Sequence, residues 1–239
     1  MKFTLLKIIA IFIIGMVGGI FAEQIFWPYF VERPLFYKYK LEKPPVYVTE
    51  KKEVTIEENT ALKNAIEKVE KTVVGIKAKT RYGKILEGTG TIISSDGLII
   101  TLAELLPSGS TVSVFLEGKL IPSQILKRDL NNNLALLKIK KTNLQTAGFA
   151  DLEKIKLGER VFLLGIVFEK DKIPRKIVNE GIIKYIGTNF MQTNILEKDN
   201  ILGSPLFDIK NNILGLNIID KEERVNVIPI SKIREFTGF

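Results

Sequence analysis

The chain has 239 residues, 46% apolar and 26% charged, with a formal net charge of +8 and neither histidine nor cysteine. That length supports one sizeable core or two smaller ones sharing an interface, and the composition excludes a disordered chain. Without cysteine there are no disulfides, thiolate chemistry or Cys-type zinc sites; without histidine the usual general base near neutral pH is gone. No run of five basic residues marks a nucleic-acid surface, and no metal or cofactor is expected.

Lys2 and Lys7 open the chain, and Ile8 to Ala22 follows without a charge. Extension to Trp27 admits only Glu23 and Gln24, giving about the 20 residues that a membrane-spanning helix needs. Trp27, Tyr29 and Phe30 then stand where an interfacial aromatic belt would. Residues 1–30 read as a membrane anchor, with the membrane crossed through Ile8–Trp27. A cleaved signal peptide is the competing reading; cleavage after Ala22 would place Ile20 where a small residue is wanted. Gly15 and Gly19 form a G-x-x-x-G that could pack two such helices together. Lys2 and Lys7 on one side, and Arg33, Lys38, Lys40 and Lys43 on the other, leave the orientation open.

Residues 31–58 combine Pro34, Pro44 and Pro45 with Phe36, Tyr37, Tyr39, Tyr47 and several charges. This predicts an extended linker, whose aromatics could instead dock on the domain or on a neighbouring protomer. Asn59-Thr60 supplies a helix start, and Leu62, Ile66 and Val69 recur at helical spacing to about Lys71.

From Thr72 the pattern changes to short runs of Val, Ile, Leu and Thr separated by turn signals. These include Tyr82-Gly83, Ser95-Asp96-Gly97, Pro107-Ser108-Gly109, Glu117-Gly118 and Asn131-Asn132-Asn133. Later strands are predicted over Arg160–Gly165, Ile177–Tyr185, Phe190–Asn194, Ser204–Asp208, Ile213–Ile219 and Arg224–Ile228, with a hairpin turn at Asn211-Asn212. Such spacing argues an all-β barrel or sandwich. The domain occupies 59–239 and divides near Asn143–Ile155 into barrels of about 72–145 and 155–230, before a short helix over Ser231–Phe236.

Several of these runs also carry a family pattern. Gly88-Thr89-Gly90-Thr91-Ile92-Ile93-Ser94-Ser95-Asp96-Gly97-Leu98-Ile99-Ile100-Thr101 resembles the G-S-G-V-I-I-S-x-D-G-Y-I-L-T of HtrA/Deg-type trypsin-like serine proteases. Arg128-Asp129 with Leu134-Ala135-Leu136-Leu137-Lys138-Ile139 is similar to their R-D-P-x-T-D-L-A-L-L-K-I. Leu157-Gly158-Glu159-Arg160-Val161, Asn179-Glu180-Gly181-Ile182-Ile183, Ile213-Leu214-Gly215-Leu216-Asn217 and Val227-Ile228-Pro229 continue the likeness. Phe190-Met191-Gln192-Thr193-Asn194 resembles the segment that leads to the nucleophile, and Gly203-Ser204-Pro205-Leu206 sits in the frame of G-N-S-G-G-P-L. The resemblance runs in order from about Ala61 to Phe236 and implies a two-barrel, chymotrypsin-type serine protease fold.

It also implies where catalysis would sit. The histidine position is Glu104, the aspartate position Asn133 and the nucleophile position Leu202. Leucine has no atom that attacks a carbonyl, so a catalytically inactive protein is expected. Ser204 lies two residues past the nucleophile, with its side chain expected to point away. The oxyanion hole of such enzymes is built from backbone N–H groups; its remnant here would be Asn200 and Leu202, asparagine being tolerant of positive φ. The edge that would pair with an extended peptide matches Leu216, Asn217, Ile218 and Ile219.

The expectation is a membrane-tethered protein, single-pass with its domain extracytoplasmic, that binds a peptide or protein partner. An assembly subunit partnering itself (a homo-oligomer) or an active protease is the alternative; a hydrolase using Glu104 with a Ser, Thr or Asp elsewhere is another. No PDZ module is expected after the domain.

Overall fold

The computed structural model describes residues 2–32, 58–169, 173–197 and 201–239, in two compact units, Met1–Val54 and Thr55–Phe239. In the first unit, α1 (Lys2–Phe21) continues as a π-type helix over Ala22–Glu32. Phe3–Trp27, 25 residues, is long and apolar enough to cross a membrane. At 1.5 Å per residue it reaches up to about 37 Å, against a hydrocarbon core of about 30 Å. Pro34, Pro44 and the linker aromatics Phe36, Tyr37, Tyr39 and Tyr47 lie outside the described residues.

The second unit opens with α2 (Glu58–Val69), whose Ala65 and Val69 are buried, with Leu62 and Ile66 packed beside them. Thr72 ends it by donating both its backbone N–H and its hydroxyl to the Val69 carbonyl, at 2.9 and 2.7 Å. Six antiparallel strands then close into a barrel: β1 (Val73–Lys79), β2 (Ile85–Ile92), β3 (Leu98–Leu102), β4 (Thr111–Leu116), β5 (Lys119–Asp129) and β6 (Leu134–Ile139). Their order is β1-β2-β3-β6-β5-β4, with β4 returning to β1. Gly97 makes the β2–β3 turn possible: its φ is +97°, and a Cβ there would lie 2.6 Å from the Ile139 carbonyl oxygen.

A two-residue strand β7 (Gly148–Phe149) leads into β8 (Arg160–Val167), β9 (Arg175–Ile186), β10 (Met191–Leu196), β11 (Pro205–Asp208), β12 (Asn212–Ile219) and β13 (Arg224–Pro229). The order β11-β8-β9-β10-β13-β12 closes through a β11–β12 pairing, making a second six-stranded barrel, and β7 adds in parallel to the start of β12. The sequence pattern missed β7 because two residues show no alternation. It also stopped β9 short, at Ile177 and Tyr185. The chain finishes in α3 (Ile230–Thr237), capped by Gly238 at φ +81°.

One core fills the first barrel and continues past its wall through Phe162, Leu164, Ile166, Phe207 and Leu216 to Ile233 and Phe236 of α3. A second, smaller one fills the other barrel around Val161, Leu163, Met191, Ile201 and Leu214. Strand β8 therefore buries both faces, odd residues in one core and even residues in the other. This is why it reads as an unbroken apolar run. Phe162 stacks on Phe207 with ring centroids 5.3 Å apart.

Candidate functional site

Glu104 sits on the 3₁₀ turn Ala103–Leu105, which follows β3 directly. The turn is anchored by its apolar neighbours: Ala103 and Leu105 are buried, while Glu104 is exposed. Asn133 ends the β5–β6 turn with φ +54°, a left-handed conformation that asparagine adopts more readily than most residues. That turn is wound by Asp129, which accepts the backbone N–H groups of Asn131 and Asn132 and the Asn132 side-chain amide, the last at 2.6 Å. These bonds, the Asn132 amide first, hold the Asp129 carboxyl below its usual range.

The two turns meet. Asn133 Nδ2 donates to Glu104 Oε1 at 2.7 Å, Asn133 Oδ1 accepts the Glu104 backbone N–H at 2.9 Å, and the Asn133 carbonyl accepts from Ala103 at 3.1 Å. Among the described residues no cation lies within ion-pair distance of Glu104. The sequence-expected histidine and aspartate positions are thus together in space.

Leu202 approaches from the other barrel. It is half-buried against the first core, and its carbonyl accepts the Thr89 N–H of β2 at 2.8 Å. Gly203 follows at φ +77°, donating its N–H to the Asn217 carbonyl at 2.9 Å. A Cβ on Gly203 would come within 2.4 Å of the Thr89 carbonyl oxygen and 3.4 Å of Leu105 Cδ1, so only glycine fits between the barrels here. Gly88 faces the same junction: a Cβ there would meet Leu105 Cδ1 at 2.5 Å and the Leu202 oxygen at 2.8 Å. Glu104, Asn133 and Leu202 therefore border one junction. Chemically it offers one oriented carboxylate, one amide already committed to it, and the half-buried apolar side chain of Leu202.

Ile201 is fully buried in the second core, and Ser204 is buried with its hydroxyl accepting from Asn217 Nδ2 at 2.9 Å. Ser204 thus faces the interior, away from the cleft. Asn200, the other expected oxyanion position, lies outside the described residues.

The expected peptide edge is shorter than the sequence implied. Leu216 is paired on both sides, with Pro205 and with Ile228. Asn217 turns both backbone groups toward β11: its N–H donates to the Ser204 carbonyl at 2.8 Å, and its carbonyl accepts from Gly203. Alternation then turns the groups of Ile218 toward β13, where it pairs with Asn226, and those of Ile219 back to the open side. Leu216, Asn217 and Ile218 have no free backbone groups for a peptide because Gly203, Ser204 and β13 already use them. Ile219 is the residue whose N–H and C=O turn away from β13 and have no hydrogen-bond partner among the described residues. Sequence spacing placed the strand correctly, but not which residues face which edge; the Gly203–Asn217 bond decides that.

Ion pairs border the open recesses elsewhere. One of about 410 Å³ between Phe149, Asp151, Arg160 and Asp208 has Lys154 bonded to Asp151 and Arg160 to Glu180. Among the described residues no group of His, Cys, Asp and Glu could hold a metal.

With both barrels and this junction in place, the chain belongs to the trypsin-like peptidase domain family, whose pattern matches residues 88–216, a span that includes Glu104, Asn133 and Leu202. It is similar to a probable periplasmic DegP-like serine endoprotease of Pseudomonas putida, 31% identical over 139 residues, covering 54% of this chain and 28% of that protein. A protein of Chlamydia pneumoniae with the same description is 26% identical over 151 residues, covering 59% and 30%. The chain therefore spans less than a third of the length of these curated relatives. Among solved structures, an HtrA-type protease with a tripeptide superposes with TM-score 0.66 at 23% identity, covering 74% of this chain and 62% of that one. Deg5 superposes with TM-score 0.65 at 20% identity, covering 75% and 93%. At those identities the structural likeness shows the two-barrel fold.

Proposed function

We propose that this protein is a catalytically inactive HtrA-like member, tethered to a membrane by Phe3–Trp27 with its barrels extracytoplasmic, that works by holding an extended peptide or protein segment. The observation that carries the reading is Leu202 at the nucleophile position in a chain without histidine. Proton transfer to and from a nucleophile has no group to perform it: Asn133 does not titrate, and Glu104 has no hydroxyl at 202 to deprotonate. The periplasmic description of its relatives supports the location, and the tripeptide in one structural neighbour supports the ligand class.

The open edge gives binding a modest backbone share. Ile219 offers two hydrogen bonds, each contributing about 0.5–1.5 kcal/mol net, whereas micromolar affinity needs about 8 kcal/mol. Side-chain contacts must supply the rest. Incubation of the purified protein with unfolded casein and with a fluorophosphonate probe tests inactivity: neither cleavage nor labelling is expected. Labelling that disappears in a single Ser→Ala variant would overturn the reading.

A further inference from the structure

We propose that the cleft selects peptides carrying a lysine or arginine beside an apolar residue, the cation lying against Glu104 and the apolar side chain against Leu202. This rests on the peptide-holding reading above and names the ligand class of that same junction.

Three observations converge on it. The Glu104 carboxylate is held by one oxygen: Asn133 Nδ2 takes Oε1, and the Glu104 N–H bound to Asn133 Oδ1 fixes the turn beneath it. Oε2 has no partner among the described residues, and the residue is exposed. Many of this chain's carboxylates are matched to cations, as in Lys77–Glu87, Lys138–Asp96, Lys141–Glu117, Arg160–Glu180 and Lys176–Glu70. The oriented Glu104 carboxylate has no cation of its own among the described residues, and at short range it complements a positively charged guest against the chain's overall net charge of +8.

The second observation is the apolar surface beside it. Leu105, next to Glu104 in the chain, is buried and packs where the Gly88 and Gly203 side chains would be, and the Leu202 carbonyl oxygen meets the same Gly88 site, so the half-buried Leu202 side chain stands at the junction beside the Glu104 turn. A guest there meets hydrocarbon flanked by one negative charge. The aliphatic stem of lysine or arginine matches that combination, its methylenes on leucine and its head group on the carboxylate.

The third is register. Gly203 bonds to Asn217, and Ile219 lies two residues further along the same edge of β12. A peptide exchanging hydrogen bonds with Ile219 would lie in extended form beside the Gly203–Asn217 contact, and hence next to Leu202, the residue before Gly203.

Residues 55–239 contain both cores and form one compact unit, so a fragment beginning at Thr55 serves for measurement. Three labelled peptides of Val, Leu and Ser, identical except for a central Lys, norleucine or Glu, are titrated by fluorescence anisotropy. The expected order is Lys tightest by about tenfold over norleucine, with Glu weakest. Glu104→Gln should bring the Lys and norleucine peptides together, because glutamine keeps the shape and the bond to Asn133 without the charge. Raising the salt should narrow the wild-type difference. Equal binding of Lys and norleucine peptides to the wild type, or a lysine preference that survives Glu104→Gln, overturns the selectivity while leaving peptide holding in place. Absence of binding by all three overturns both.

Discussion

Asn133 gives both ends of its side-chain amide to Glu104, Nδ2 to the carboxylate at 2.7 Å and Oδ1 to the backbone N–H at 2.9 Å. A carboxylate only accepts hydrogen bonds, so the amide nitrogen must face it. In the resembled proteases these positions carry an aspartate that accepts from a histidine. Here donor and acceptor are exchanged: the orienting residue donates, and the charge sits on the outer residue.

Asn133→Asp should accordingly be harmful in a pH-dependent way. Two carboxylates at hydrogen-bond distance do not both ionise freely, so one keeps its proton to a higher pH than an isolated carboxyl would. A carboxyl held above its unfolded range has no cost below about pH 4 and lowers stability as pH rises beyond it. Glu104 is exposed, so solvent screening keeps the cost at pH 7 to about 1 kcal/mol, a fall of about 2–4 °C in Tm. Thermal melts of the variant and its parent at pH 4 and pH 7 check this; an equal gap at both would sink it. The parent should melt almost evenly between pH 5 and 8, having no histidine to titrate, and lose stability in acid. There Asp96, lowered first by its bond from Lys138, and Asp129 lose the charged forms that the fold favours.

Leu202→Ser should restore nothing. The hydroxyl would lack a base, and the junction would lose the packing of a half-buried leucine, costing about 1–2 kcal/mol. Leu202→Ser with Glu104→His and Asn133→Asp is the least change that supplies nucleophile, base and orienting carboxylate together. Fluorophosphonate labelling of the single variant would contradict this, because it would mean that another group activates the serine.

Most of the fold was legible because its signals were local. Alternating Val, Ile and Leu runs gave the strands, Gly97 and Asn211 marked turns by their positive φ, and Leu62, Ile66 and Val69 gave α2. The positions of Glu104, Asn133 and Leu202 followed from the family pattern, and the structure sets them around one junction. What sequence did not give was the direction of individual backbone groups. Whether Ile218 or Ile219 turns away from β13 depends on one long-range bond, Gly203 to Asn217, and both residues are isoleucine. The Asn133 clasp on Glu104 was likewise invisible, since it joins turns 29 residues apart that carry no shared signal.

The helix Phe3–Trp27 predicts integral membrane behaviour. Full-length protein should stay with membranes through high salt and alkaline carbonate and be released by detergent. Its N-terminus should be Met1 or Lys2. A mature N-terminus at Glu23 would show instead that the helix is a cleaved leader.

The two isoleucines at the end of β12 separate strand stability from peptide holding. Proline removes a backbone donor and fixes φ, so its effect depends on whether that donor is used. At Ile218 the N–H faces β13, where the residue pairs with Asn226, so Ile218→Pro breaks the barrel wall and should cost about 3 kcal/mol or more. At Ile219 the N–H turns away from β13, and Ile219→Pro leaves the β13 bonds of its neighbours in place. It should therefore fold, with a circular dichroism spectrum and Tm close to the parent, and bind an extended peptide several-fold more weakly, since one hydrogen bond contributes about 1 kcal/mol. Anisotropy with a labelled peptide, run beside thermal melts of both variants, makes the comparison. If Ile219→Pro folds and binds as tightly as the parent, the peptide is not held on this edge. If Ile218→Pro proves the milder change to stability, the alternation assigned to β12 is wrong.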